Sequence, residues 1–132
     1  MAIHTMQKLA ALSLTITASD EFPDTKIAVT AGEVYMFTCA ESQGWTDWYR
    51  KSGPNGFFNF FAWIAGLRVK GVKCFCLCGA YNDDYKNKSF PIGTEKKVTI
   101  NESGTLCFFA NDAPGHYGNN KGSVIMNVTR LS

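Results

Sequence analysis

The sequence predicts an all-β fold, a β-sandwich or jelly roll, formed by a single domain over residues 1–132. Short segments with strand periodicity recur along the chain and are separated by Gly, Asn, Asp and Pro, as in all-β sandwiches. Aromatic residues make up 14% of the chain, and they favour half-buried pleated surfaces. A chain of 132 residues can bury one core but is too short for two.

Strands are expected where apolar and polar residues alternate, or where a short apolar run lies between turn residues. Residues 12–17 alternate, and this pattern argues against a signal peptide at residues 8–19, because the apolar stretch of a signal peptide has no reason to alternate. A turn at residues 30–33 separates two strands, and another at residues 101–104 separates two more. The further predicted strands are residues 26–29, 34–39, 69–78, 97–100, 105–110 and 123–129.

Only residues 57–67 could be helical. This segment is almost entirely apolar, so periodicity does not distinguish a helix from a strand. We expect it in the core or at a subunit interface rather than on a ligand-binding surface.

Charge and hydropathy exclude two classes of partner. The net charge is +2, with Lys and Arg scattered among Asp and Glu, so the basic stripe of a nucleic-acid-binding protein is missing. No run approaches the roughly 20 apolar residues of a membrane helix, and membrane insertion is not expected. With no signal peptide expected either, the predicted location is the cytoplasm, or outside the cell after release without a cleaved signal.

The five cysteines are expected to be reduced and buried, because an odd number without framework spacing does not indicate a disulfide scaffold. Cys74, Cys76 and Cys78 would place alternate side chains about 6.5–7 Å apart on one strand. Tetrahedral zinc needs sulfurs roughly 4 Å apart, so this run does not predict a zinc site.

The sequence predicts no enzyme. It has two His and lacks a nucleophile elbow, an HExxH helix and a phosphate-binding glycine loop. A carboxylate pair for glycoside hydrolysis ranks last among the hypotheses, since Asp83 and Asp84 are typical of a turn.

Residues 111–122 form a loop too long for a simple hairpin turn. Asp112, Asn119 and Asn120 offer side-chain oxygens, and Gly115 is one of three glycines that permit positive φ angles. A hard cation such as Ca²⁺ takes about 6–8 oxygens from carboxylates, amides and carbonyls. Such a loop would leave coordination positions open, and two hydroxyls of a sugar diol could fill them. Composition alone favours a polar Gly/Asn turn that binds nothing, since these residues dominate turns for backbone reasons.

The run from Asn111 to Ser123, with sequence NDAPGHYGNNKGS, resembles the signature of the PA-IL-type galactophilic lectins, which are calcium-dependent soluble lectins. Weaker similarity extends to residues 25–34, 44–48, 53–56 and 90–93. The resemblance therefore covers most of the chain, although only the C-terminal loop is a specific match.

The resemblance implies a jelly-roll-like, galactose-binding-domain-like β-sandwich with calcium beside the sugar, assembled as a homo-oligomer. It implies side-chain calcium ligands at Asp112, Asn119 and Asn120, and a carbonyl ligand at His116. A second carbonyl would come from Trp48 or Tyr49, with Trp48 preferred. The implied sugar contacts are Asp112 and Asn119, with His116 expected to contact the sugar in its own way. Trp48 is a further expected contact, because an aromatic ring can stack on the apolar face of a sugar, and core packing is the alternative for this ring.

The chain departs from that family at two places. His116 is at a position where the family usually has Thr. Residues 57–63 lack the His and Gln side chains that bind galactose in the family. The expected function is therefore calcium-dependent binding of galactose or a related sugar, because the calcium ligands match the family and the galactose-binding residues do not. The alternative is an accessory or structural β-sandwich whose loop is stabilised by calcium without binding sugar.

Overall fold

Two β-sheets face each other across a shared apolar core in the computed structural model, which describes residues 2–132. The architecture is the β-sandwich that the sequence predicted. One short helix, α1 (Phe60–Ala65), interrupts the strands. The strands are β1 (Ala2–Thr5), β2 (Ala11–Thr17), β3 (Thr25–Val29), β4 (Val34–Thr38), β5 (Trp45–Asp47), β6 (Arg50–Ser52), β7 (Asn55–Phe57), β8 (Cys74–Tyr81), β9 (Ser89–Pro91), β10 (Glu95–Thr99), β11 (Gly104–Ala110), β12 (Asn120–Lys121) and β13 (Ser123–Arg130).

The first sheet has six strands in the order β1-β3-β11-β8-β7, with β9 also paired to β8. All its pairs are antiparallel except β1 with β3. The second sheet is antiparallel in the order β10-β4-β13-β2. A small third sheet, β12-β5-β6, joins the loop before β13 to the β5–β6 hairpin.

The core forms between the inner faces of the two large sheets. On β13, Val124, Met126 and Val128 are buried and alternate with exposed residues. In the pairing of β13 with β2, Val124 lies opposite Ile16 and Met126 lies opposite Leu14. This alternation confirms the strand predicted at residues 12–17. Each fully buried side chain of this kind contributes roughly 1.5–3 kcal/mol. The first sheet supplies Ile27, Leu106 and Phe108 to the same cluster.

Strand β8 is covered on both faces, since every residue from Cys74 to Tyr81 is buried. On its outer face Cys76 and Cys78 pack with Cys107 and Phe109 beneath Val69. All five cysteines are free and buried, as the sequence predicted. Burial raises the pKa of the Cys39 and Cys107 thiols, which keeps them protonated and unreactive.

The strand predicted at residues 69–78 is wrong in its first half. Residues 69–73 are irregular, with Gly71 at φ 77°, and they cross the outer face of the first sheet instead of extending β8. The predicted alternation also fails at Cys74, which packs in the same cluster as Phe75 and Leu77. Phe75 has a left-handed backbone (φ 64°), and this breaks the regular two-residue period.

The two predicted turns are crossings between sheets and not hairpins. Residues 30–33 lead from β3 in the first sheet to β4 in the second, and residues 101–103 lead from β10 back to β11. The Gly32 N–H donates to Ile100 O (2.8 Å), and the Ala31 N–H donates to Ser103 Oγ (2.9 Å). The two crossings therefore support each other at one end of the sandwich.

Within residues 2–132 no helix is long and apolar enough to cross a membrane. The short strands β1, β5, β6, β7 and β9 were not predicted, because strands of three or four residues show too little periodicity to detect.

Replacing Leu106 by Ala should lower the free energy of unfolding by about 2–5 kcal/mol, because its side chain is fully buried between the sheets. Urea denaturation measures the change. Ile125→Ala on β13 is the matched control, since Ile125 is exposed, and it should change stability by no more than about 0.5 kcal/mol. Equal effects of the two substitutions would contradict the described core.

Candidate functional site

The loop at residues 111–122 starts from a buried asparagine. Asn111 follows β11 and is fully buried. Its Oδ1 accepts from the Val69 N–H (2.9 Å), and its Nδ2 donates to the carbonyls of Val69, Val72 and Lys73 (3.0–3.2 Å). An irregular buried backbone needs such partners. This one side chain therefore fixes two segments: residues 69–73, which cover the outer face of the first sheet, and the start of the loop.

Tyr117 ties the middle of the loop to its beginning. It opens a short 3₁₀ turn (Tyr117–Asn119) and is almost completely buried. Its hydroxyl donates to Ala110 O (2.7 Å) and accepts from the Asp112 N–H (3.3 Å). Burial raises the pKa of the Tyr117 hydroxyl, so it stays a donor at neutral pH.

Arg68 supports the same loop from below. Its backbone N–H donates to Asp112 O (3.0 Å), and its guanidinium pairs with Glu21 at 3.6 Å. The Glu21 carboxylate in turn accepts from the Gly115 N–H (3.2 Å). The guanidinium lies against four aromatic rings, which compensates for its burial. The ring centroids lie 4.2 Å (Tyr85), 4.9 Å (Tyr117), 5.1 Å (Phe109) and 5.4 Å (Phe22) from the guanidinium carbon.

The structure brings the five predicted site residues together. A cleft of about 680 Å³ is lined by Asp112, His116, Asn119 and Trp48, among others. Asn120 lies behind them, buried, with its Nδ2 donating to Asp112 Oδ2 and to Ala18 O (3.0 Å each). The Trp48 N–H donates to Asn119 O (3.1 Å), which couples the β5–β6 turn to the loop.

The oxygens around Asp112 suit a hard cation. Asp112 Oδ1 accepts from the Ala113 N–H (2.7 Å) and Oδ2 accepts from Asn120, which leaves further lone pairs on both. Asn120 Oδ1 is buried and finds no donor among residues 2–132. Such an atom costs roughly 1–3 kcal/mol if nothing compensates, and a cation at this position would compensate.

Asp47 is a site residue that sequence reasoning missed. It ends β5 opposite Asn120 in the register and lines the same cleft. Burial raises the pKa of both Asp47 and Asp112, the neighbouring Asp47 charge raises that of Asp112 further, and His116 lowers both. The sequence signal that could have identified Asp47 is its position, because it directly precedes Trp48, whose carbonyl is a predicted calcium ligand.

The donor set is mixed. The described residues contain no group of three or more His, Cys, Asp and Glu placed to hold a metal. The side-chain oxygens here belong to the Asp47 and Asp112 carboxylates and the Asn119 amide, with the Asn120 amide behind them, and these are donors that Ca²⁺ accepts and zinc does not favour.

Residues 57–67 were expected in the core or at a subunit interface, and the core alternative is wrong for α1, whereas the interface alternative stays a prediction. The Asn59 side chain caps α1 by accepting from the Phe61 and Ala62 N–H groups (3.1 and 3.2 Å), and no residue of α1 is buried. The connection from β7 runs over the surface, as loops do; Phe57 and Leu67 at its ends are buried in the core, and the partly buried Ala62 packs against it. One side of the cleft is therefore an apolar wall, formed by Phe58, Phe60, Phe61, Ala62 and Ala65.

The three tryptophans lie in different environments. Trp45 is buried in the core and its Nε1 donates to Phe75 O (3.1 Å). Trp48 is 66% exposed and lines the cleft, whereas Trp63 is exposed outside it. Among the three, only Trp48 is placed to contact a ligand in the cleft.

Replacing Tyr117 by Phe should cost about 1–3 kcal/mol of unfolding free energy, because the Ala110 carbonyl and the Asp112 N–H lose a buried partner. Chemical denaturation gives the value. Tyr49→Phe is the control, since Tyr49 is exposed. If both variants were as stable as the parent, Tyr117 would not anchor the loop.

Comparison with known proteins adds a fold relationship. The chain matches no family model, and no curated protein sequence matches it. Among solved structures it is similar to one described as the EclA N-terminal domain, a PllA-like lectin, with a TM-score of 0.66 and 21% sequence identity. The similarity covers 89% of this chain and 94% of that chain. The chain therefore shares the β-sandwich fold of a lectin domain.

Proposed function

We propose that this chain is a non-enzymatic, calcium-dependent lectin that binds galactose or a related sugar in the cleft between the loop at 111–122 and α1. The observation that carries the proposal is the buried, unpartnered Asn120 Oδ1, in a side chain whose Nδ2 donates to the Asp112 carboxylate. The lectin-like fold supports it, as does the convergence of the predicted residues on one cleft.

The proposed calcium ligands all belong to the loop or to the turn hydrogen-bonded to it. Asp112, Asn119 and Asn120 would bind through side-chain oxygens, and His116 and Trp48 through backbone carbonyls. Asp47 adds a second carboxylate to the neighbourhood, and its charge favours a cation there. When bound, the ion supplies open coordination positions that two vicinal hydroxyls of a sugar can fill.

The protein's own side chains would orient the sugar. Asn119 and His116 are exposed to the cleft and offer polar groups to hydroxyls, while Asp112 accepts from one of them. The exposed Trp48 ring can cover the apolar C–H face of a pyranose. We expect a homo-oligomer, because several linked sites would gain avidity on a glycan-coated surface.

A second candidate function is glycoside hydrolysis, favoured by two carboxylates with raised pKa values, Asp47 and Asp112, in one cleft. Both Asp112 oxygens already accept hydrogen bonds, from Ala113 and Asn120. Such bonds favour the charged carboxylate over a general acid, which suits an ion ligand better. Sustained release of the aryl alcohol from aryl glycosides would support the hydrolase instead.

Asp112→Asn should weaken the affinity for calcium by at least roughly 10–100-fold. Loss of a residue that merely supports a metal ligand already lowers metal affinity by that factor. The substitution removes one charge but keeps the shape, so the ion-free fold should persist. Isothermal titration calorimetry with CaCl₂ measures the affinity. Thermal unfolding adds a second measure, since calcium at 100 times its Kd should stabilise the parent by about 2.7 kcal/mol.

The matched control is Asp24→Asn, because Asp24 is an exposed aspartate outside the cleft. It should bind calcium like the parent. If the Asp112 variant bound calcium with unchanged affinity, the ion site would be assigned to the wrong residues.

Sugar binding should require the ion. A glycan array probed with the protein should give signals in calcium, headed by terminal galactose or a relative, and these should vanish in EDTA. Calcium binding without any glycan signal would support the alternative function, a structural module with an ion-stabilised loop. Glycan signals that survive EDTA would contradict the proposed mechanism.

A further inference from the structure

Arg50 is a charged residue of the cleft that the proposed calcium site does not use. It begins β6 and lines the cleft together with Asp47 and Asp112. Its guanidinium carbon lies 4.3 Å from the centroid of the Phe57 ring, and this cation–π contact orients the planar group. The side chain is exposed, so its N–H groups remain accessible to a ligand.

The Arg50 guanidinium has no carboxylate partner within the protein. Among residues 2–132 the arginines that form ion pairs are Arg68 and Arg130. A guanidinium presents its N–H donors in a fixed fork that matches the oxygens of a carboxylate or a phosphate, and a sulfate ester has the same tetrahedral arrangement of oxygens. Arg50 is therefore suited to bind an oxyanion that a ligand brings into the cleft.

The small third sheet determines how far Arg50 lies from the proposed ion site. Asp47 of β5 lies opposite Asn120 on one side and opposite Arg50 on the other, so the three residues form one row across the sheet. Side chains directly opposite each other point to the same face. The backbones of Asn120 and Arg50 are two strand spacings apart, which is roughly 10 Å. A sugar chelated by the ion would thus lie beside Arg50, close enough for one of its substituents to reach the guanidinium.

The charges of the lining favour an anionic substituent once the ion is bound. Asp47 and Asp112 are the two carboxylates of the cleft lining, and the proposed divalent cation would offset both. A guanidinium stays charged in proteins. The Arg50 charge would then be the one that the described lining leaves uncompensated, and an acidic group on the sugar would compensate it.

We propose that the ligand is an acidic glycan, and that Arg50 binds a carboxylate or sulfate group carried by the sugar that the calcium ion holds. The inference rests on the proposed function, because the ion must fix the sugar for its substituent to reach Arg50. The ion would bind the diol, and Arg50 would select the sugars that carry an anionic group.

Strand β6 offers a matched pair of cations for the test. Arg50 lines the cleft, whereas the adjacent Lys51 is also exposed but does not line it, since successive side chains of a strand point to opposite faces. Neither belongs to the core, so Arg50→Gln and Lys51→Gln should both fold. Each removes one positive charge from the same strand. A difference between them reports on the cleft and not on the net charge of the protein.

The test titrates methyl glycosides of galactose, N-acetylgalactosamine, glucose and mannose by calorimetry in calcium, together with the uronate and the sulfate esters of each sugar. The parent protein should bind an acidic derivative about 2- to 10-fold more tightly than the neutral glycoside of the same sugar, the scale of one exposed charge pair. Added NaCl should reduce this preference. A preference for the uronate alone would identify the group as a carboxylate, and one for an ester alone as a sulfate.

The variants assign the preference to one residue. Arg50→Gln should remove most of the preference for the acidic derivative and leave the affinity for the neutral glycoside unchanged. Lys51→Gln should keep the preference. Loss of neutral glycoside binding in Arg50→Gln would show that Arg50 supports the ion site instead of binding an anion, and would overturn the inference.

If the parent bound no acidic derivative more tightly than its neutral glycoside, this inference would be wrong while the lectin proposal stands. It would also be wrong if the preference survived in Arg50→Gln, or if Lys51→Gln removed it equally. Absence of calcium-dependent binding for every neutral and acidic glycoside would overturn the lectin proposal, and this inference with it.

Discussion

The hydrogen bonds of the Asn111 carboxamide are the constraint on which the site depends. This one buried side chain is bonded to the backbone of Val69, Val72 and Lys73, none of which lies in a regular strand. It thereby holds the segment that covers the outer face of the first sheet and, at the same time, fixes where the loop at residues 111–122 leaves β11. An apolar residue of similar size would leave these buried polar groups without partners.

Charged side chains lie on both sides of the loop at residues 111–122. Arg68 and Glu21 are paired beneath it among aromatic rings, and this pair leaves the carboxylates of Asp47 and Asp112 on the cleft side. Burial opposes ionisation of both carboxylates. The described lining of the cleft therefore combines two carboxylates with the Arg50 guanidinium and His116, and the proposed cation would offset the charge of the carboxylates.

The sequence predicted the long strands and the loop because their signals are local. Alternation located β2, and the polar composition of residues 111–122 located the loop that carries Asp112 and Asn120. Asp47 was missed because it reaches the cleft only through the pairing of β5 with β12, which is a long-range contact. Residues 57–67 were expected in the core or at a subunit interface because apolar composition does not report whether other parts of the fold cover a segment, and no residue of α1 is buried in this one.

Helix α1 is an addition to the sandwich and not one of its structural members. It lies in the connection between β7 and β8, and none of its six residues is buried. Most of the energy that stabilises the domain is invested elsewhere, so mutations can accumulate in the helix at little risk to folding. Natural variation or directed evolution at these positions can thus reshape the apolar side of the cleft independently of the loop at residues 111–122.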